Sequence, residues 1–435
     1  MSPTDTFIAT TVAPSAASLE VEQRKALWAK RLTAVFWVNS VAMSRDGKRV
    51  VAGTYIHDYD QKTANFGPNI RSRFGLYFFD DVPKVKTDKV EPKWSDEFDA
   101  WDGVYGVAIS ADGRTVAASG WLDKDADSQL GLLRAYDADG SSTGSLKLLL
   151  DFKDIKQRVS WVSLSADGRV LAAVADDVYV FLREGDAFNP VPLKLEIAEV
   201  ANKYVTSIAL HPSGTWLVAC DLVGHVYAAT IKNGAIGTKV TWNAQKALPF
   251  LSVAIAQDVD KFVAGGGNFV FLFDLTGVMI DPKGYTPLQF DTSAGELEGT
   301  VPKDSDDGTK LQQNVRWVAT SADGKLITAA VNRLDDSKLA GKLFALSSDL
   351  TKTWTANIGN NPNSTSIDAR GQYVAMADGY PTSKPAKFHL FDANGKKLWE
   401  SNTCSMNWPM VINAEGDAIV AGSDDGTVYY FTPTV

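Results

Sequence analysis

Three aspartates at alternate positions, Asp123, Asp125 and Asp127 in WLDKDADSQ (121–129), form the most metal-like spacing in the chain. Alternate carboxylates suit an oxygen-seeking Ca²⁺. The stretch lacks the Gly and the distant bidentate Glu of a helix–loop–helix calcium site, so a solvated acidic loop competes with Ca²⁺ as its reading. The four histidines, His57, His211, His225 and His389, are spread along the chain with no metal-ligand spacing between them. His211 falls in a turn and His225 and His389 in strand-like runs, where structural roles are expected. There is no G-x-S-x-G nucleophile elbow and no phosphate loop. GGGN (265–268) opens no helix and reads as a tight hairpin. Cys220 and Cys404 are too few for a disulfide framework or a four-ligand zinc site. Cys220 ends the apolar run TWLVAC, the setting of a buried, inert thiol. No residue is assigned a catalytic role, the chain is read as a non-enzyme, and no cofactor is expected apart from Ca²⁺ at the three aspartates.

The elements that must position any site come in a repeat. Eight times a short β-forming stretch leads into a polar turn and a small apolar run: SVAMSRDGKRVVAG (40–53), GVAISADGRTVAAS (106–119), WVSLSADGRVLAAV (161–174), SIALHPSGTWLVAC (207–220), SVAIAQDVDKFVAG (252–265), WVATSADGKLITAA (317–330), STSIDARGQYVAMA (364–377) and PMVINAEGDAIVAG (409–422). Gly at the turn supplies the positive φ of a tight reversal. In the fifth copy Val259 takes that place, so its turn must differ. A third, aromatic-rich strand follows each copy, as in GLYFFD (75–80) and GTVYYF (426–431), and then a more variable fourth, as in EPKWSD (91–96) and KKLWES (396–401). Four antiparallel strands repeated in series predict an all-β fold, an eight-bladed β-propeller. Seven blades plus an irregular unit is the alternative. The chain runs out after the third strand of unit eight, and KALWAKR (25–31) resembles a fourth strand, so an N-terminal strand is expected to close the ring. The domain reading is an arm over 1–24, flexible or ordered by a partner, and one propeller over 25–435.

The repeats resemble those of WD40 and quinoprotein-like (PQQ-repeat) propellers. HPSG (211–214) and the SADG turns resemble the WD40 strand–turn–strand core. FDANGKKLWE (391–400) resembles the PQQ repeat, in which an Asp, a Gly and a docking Trp tie neighbouring blades. The resemblance covers about 25–435 and implies a superfold rather than one activity. No third strand ends in Trp-Asp, no Gly-His pair opens a unit, and docking tryptophans occur in five fourth strands only: Trp28, Trp94, Trp242, Trp354 and Trp399. PQQ-dependent dehydrogenases would imply a cofactor stacked on a central Trp. Their adjacent cysteine pair and secretory signal are missing here, which argues against PQQ.

In propellers of this strand order the second-to-third and fourth-to-first connections open on one face, and the Asp-Gly turns on the other. The long insertions gather on the first: 55–73, 121–129, 332–340, 379–386 and 293–314. Loops on a rigid scaffold commonly carry binding function. The partner-binding residues expected there are His57, Tyr59, Phe66, Arg71, Trp101, Trp121, Asp306, Asp307, Arg333 and Asp335. At the starts of first strands, Asn39, Tyr105, Trp161, Thr206, Arg316, Trp317, Asn363 and Trp408 are expected to approach the mouth of the central channel. An acidic, aromatic face predicts a protein partner, one with a basic segment. The net charge of −9 and the lack of a basic stripe argue against nucleic acid. No apolar run reaches the roughly 20 residues of a membrane span. The N-terminus shows no secretory pattern, so a cytoplasmic location is expected. The leading expectation is thus a non-catalytic interaction platform, with a small-ligand or cation sensor and a quinoprotein-like enzyme as alternatives.

Overall fold

The computed structural model describes residues 22–33, 37–55, 73–99, 103–122, 130–140, 146–155, 157–197, 205–244, 248–293, 313–333, 341–379, 385–403 and 406–434. They form eight sheets, blades one to eight of a β-propeller: seven are built on antiparallel strands that follow one another in the chain, and the eighth on three such strands plus one from the N-terminal segment. First strands pack beside first strands around the axis, and fourth strands lie outermost. The second strands, such as Val50–Tyr55, Thr115–Trp121 and Trp216–Asp221, are buried along their whole length. Their small residues let neighbouring sheets approach. A Cβ at Gly53 would lie 2.5 Å from Val104 of blade two, and one at Gly422 equally close to Val38 of blade one.

The repeated turn works as expected from its residue types. Gly47, Gly113, Gly168, Gly214, Gly324, Gly371 and Gly416 all have φ between 66° and 74°. Before each SADG-type turn a buried Ser holds the reversal: Ser110 Oγ donates to Asp112 (2.6 Å) and accepts from the Thr115 amide (3.0 Å). In blade five the turn at Val259 is different, with the Lys261 amide bonded back to Val259 O (2.7 Å). That blade also inserts a helix, Leu275–Ile280, between its third and fourth strands, N-capped by Asp274.

On the turn face a hydrogen bond crosses every seam of the ring. Main-chain amides supply six of the eight: Arg45 to Ala111 O, Ala111 to Ala166 O, Ala166 to Pro212 O, Asp258 to Ala322 O, Ala322 to Ala369 O and Ala369 to Ala414 O. Pro212 has no amide hydrogen, and there His211 Nε2 donates to Gln257 O instead (2.9 Å). The last seam is closed by Asn413 Nδ2, which donates to Arg45 O (2.9 Å). His211 therefore has a structural role, as its place in a turn suggested.

Ring closure follows the sequence reading. Trp28–Arg31 pairs antiparallel with Thr427–Phe431, Trp28 opposite Tyr430, and completes blade eight. Glu22–Gln23, within the expected arm, adds in parallel to the outer strand Lys397–Asn402 of blade seven. Arg24, also within the expected arm, is 9% exposed and donates to Thr434 O (2.7 Å) and Thr432 O (3.3 Å). The tryptophans of the fourth strands dock as the PQQ-like pattern implies. Trp94, Trp242, Trp354 and Trp399 donate their indole N–H to Ala138, Tyr285, Ala393 and Pro433 carbonyls of the next blade. Trp28 stacks on Tyr430 of its own blade and tilts against Phe79 across the seam, but its buried N–H has no partner.

Candidate functional site

One irregularity recurs in the first strands and builds the site. In seven blades the pairing of first and second strands slips by a bulge near the start of the first strand. The extra residues are Asn39, Tyr105, Thr206, Leu251, Arg316 and Asn363, with Trp408–Pro409 in blade eight. A bulge leaves its residue unpaired and re-aims its side chain, and here every one of them lines a single cavity of about 330 Å³ in the channel. Blade three has a regular register and contributes Trp161, the first residue of its strand Trp161–Leu164. Leu222, in the second-to-third turn of blade four, lies at the same opening. The mouth therefore belongs to the face where those connections emerge.

The eight residues expected at the channel mouth are thus brought together. Three tie the ring. Asn39 Nδ2 donates to Tyr105 O (3.2 Å), Thr206 Oγ1 to Phe250 O (2.7 Å), and Asn363 Nδ2 to Asn407 O (2.7 Å), each across a seam. The aromatic residues form a connected series. Tyr105 stacks on Trp121 (5.4 Å) and meets Trp161 edge-on (6.2 Å). Trp161 of blade three then meets Trp317 of blade six at 5.3 Å, spanning the channel. The Arg316 guanidinium lies 5.1 Å from the Trp408 ring centroid.

Trp121 departs from its expected place on the open face. It ends the second strand of blade two, is 4% exposed, and packs against Tyr55, Tyr105 and the Arg158 guanidinium. It supports the mouth from behind. Arg333 ends the second strand of blade six. His57, Tyr59, Phe66, Arg71, Trp101, Asp306, Asp307 and Asp335 lie outside the described residues, as do Asp123, Asp125 and Asp127. Among the described residues no three His, Cys, Asp or Glu side chains converge as metal ligands, and no helix is long and apolar enough to cross a membrane.

The other titratable groups near this face are spoken for. Asp221 binds His225 Nδ1 and Tyr227 OH (both 2.8 Å), and Asp378 binds His389 Nε2 (2.8 Å). All five residues are buried, so the two histidines brace second-to-third turns. Cys220 is fully buried, and desolvation pushes its thiol up to about 12. Sequence reasoning found the mouth residues by position but missed the bulges, which carry no composition signal.

No curated protein matches the chain in sequence. The family model for the WD40 repeat (WD domain, G-beta repeat) matches residues 197–225, the unit that carries HPSG. Among solved structures the chain is similar to Chaetomium thermophilum Sqt1, with 12% identity, 94% of this chain and 97% of that one covered, and a TM-score of 0.64. A structure of that protein bound to the N-terminus of the ribosomal protein L10 is similar at 13% identity, with 94% and 99% covered and a TM-score of 0.64. Saccharomyces cerevisiae Sqt1 is similar at 10% identity, with 94% and 99% covered and a TM-score of 0.63. The chain has an eight-bladed β-propeller fold, and one of its repeats matches the WD40 repeat by sequence.

Proposed function

We propose that this chain is a non-catalytic protein-interaction platform that docks a basic, extended segment of a partner protein across the face around the channel mouth. The observation that carries the reading is the convergence of bulge residues from seven blades on one opening. Bulges beside a binding site are built features, and aromatic residues are enriched at protein interfaces. The acid-rich connections 121–129 and 293–314, which the sequence reading expects on the same face, carry the charge that would steer a basic segment. The similarity to Sqt1, one of whose structures holds the N-terminus of a ribosomal protein, supports this mode of use.

The test is cross-linked capture from the native host with three forms of the protein. These are the intact chain, a form with 121–129 and 293–314 shortened, and an opposite-face variant, Arg114→Ser with Lys325→Ser. A partner held by the intact and opposite-face forms and lost from the shortened one is the expected result. No reproducible partner, or one that survives loop shortening, overturns the reading.

A further inference from the structure

Among the described residues, Arg316 is the one charged side chain lining the channel-mouth cavity, with no Asp, Glu, Lys or His beside it. That is a marked exception in a chain with 52 Asp and Glu and a net charge of −9. A partly buried cation normally carries a counter-charge, because desolvation without one is costly. Among the described residues Arg316 makes neither an ion pair nor a hydrogen bond, only its contact with the Trp408 ring. That contact is not a hydrogen bond and leaves the guanidinium N–H donors without an acceptor.

Two further unpaired donors belong to residues of the lining, with their polar atoms shielded from the space itself. Ser364, next to the bulge residue of blade seven, is 4% exposed, and its hydroxyl has no partner. The Trp408 indole N–H of blade eight is likewise buried and unpaired. Residues of the three consecutive blades six, seven and eight thus meet at one space, and Arg316 is the one among them whose unspent donors can reach it. Flat apolar walls complete the cavity, with Tyr105, Trp161 and Trp317 around it. Its volume of about 330 Å³ falls at the small end of ligand pockets, which span roughly 300–1,000 Å³.

We infer that the channel mouth is a binding site for a small planar aromatic carboxylate. The carboxylate sits on the Arg316 fork, where a bidentate pair has the best geometry. The ring lies among Trp161, Trp317 and Tyr105. This site shares the channel mouth with the proposed docking face but needs none of its acid-rich loops.

Two probes with one ring system and opposite charge test it: 2-naphthoate and 2-naphthylmethylammonium, titrated calorimetrically into the full chain. Naphthoate should bind at least tenfold more tightly than the ammonium probe and raise the melting temperature. Arg316→Gln should weaken naphthoate at least tenfold and leave the ammonium probe unchanged. No binding of naphthoate at millimolar concentration, equal binding of the two probes, or an Arg316→Gln variant that binds naphthoate like the wild type overturns the proposal. The two-probe comparison on the unaltered protein decides the matter even where the variant does not fold. Loss of naphthoate binding in Arg316→Gln with partner capture intact, or the reverse, separates this site from the docking face.

Discussion

Trp28 and Trp94 occupy equivalent places in two blades and differ in one hydrogen bond. Trp94 stacks on Phe78 of its own blade (4.9 Å) and tilts against Tyr136 of the next (5.5 Å). Trp28 stacks on Tyr430 (5.1 Å) and tilts against Phe79 (5.7 Å) in the same way. Both are buried, at 8% and 2% exposure. The indole N–H of Trp94 donates to Ala138 O (3.2 Å), whereas that of Trp28 has no acceptor. Where blade two places Ala138 after Asp137, blade one has Asp81 at φ 48° after Asp80, a backbone departure that accompanies the missing bond. Trp→Phe at either site loses a similar apolar area, about 1 kcal/mol at 25 cal/mol per Å². At Trp94 it also removes a net contribution of about 1 kcal/mol from the hydrogen bond, for a total near 2 kcal/mol. At Trp28 it removes a buried, unsatisfied donor whose burial costs about 1–3 kcal/mol, so the change should be neutral or stabilising. Urea midpoints for W28F and W94F, measured side by side, should differ by the equivalent of about 2 kcal/mol or more, with W94F the weaker. A W28F midpoint as low as that of W94F would refute the hydrogen-bond argument.

Deleting residues 1–31 removes the fourth strand of blade eight and should lower the melting temperature sharply, whereas deleting 1–21 should leave it unchanged. Equal melting temperatures for both deletions and the full chain would sink the ring-closure account. Burial alone would raise the carboxyl of Glu400, yet Lys387, Lys397 and the Gln23 amide hold it at about 2, below its ordinary 4.5. A carboxyl depressed by folding stabilises fully above its unfolded value and ceases to do so as pH falls through the folded one, so this contribution should fade between about pH 5 and pH 2. Glu400→Gln should show a shallower loss of urea midpoint over that range, and an unchanged slope would count against the assignment. The buried Cys220 thiol, raised to about 12, should resist iodoacetamide in the native protein at pH 8 and react after unfolding. Native labelling at Cys220, read by peptide mass spectrometry, would contradict its placement.

The parts of this fold that sequence reveals are those written in local, periodic chemistry. A turn that needs positive φ demands Gly at one phase of each unit, so the blades could be counted from Gly47 to Gly416 even with Val259 breaking the series. Docking tryptophans and the orphan fourth strand KALWAKR were legible for the same reason, since each repeats a pattern present elsewhere in the chain. The bulges were not. An inserted residue such as Arg316 leaves ordinary β-formers on both sides and declares itself only in the register. Trp121 was misplaced because it borders a long connection. Its burial is decided by pairing with Gly103 and Gly131 across the sheet, which are contacts between separated stretches of chain. A helix as short as Leu275–Ile280 gives too little periodicity to see. The pairing of His225 with Asp221 was within reach, being four residues apart, but nothing in the sequence marked it as buried.

The strand that completes blade eight also sets a timetable for biosynthesis. Trp28 leaves the ribosome roughly 400 residues before its partner Tyr430, which at about 5–20 residues per second is a delay of roughly 20–80 s. Throughout that interval the segment Trp28–Arg31 has no sheet to join, and the blade-one surface that will meet blade eight, with Val38 and Phe79, faces water. Blades can form one after another as local hairpins, but the circle cannot lock until the final strand appears. Nascent chains of this protein should therefore be most dependent on holding factors late in translation, and stalled products that stop short of residue 427 should remain open arcs.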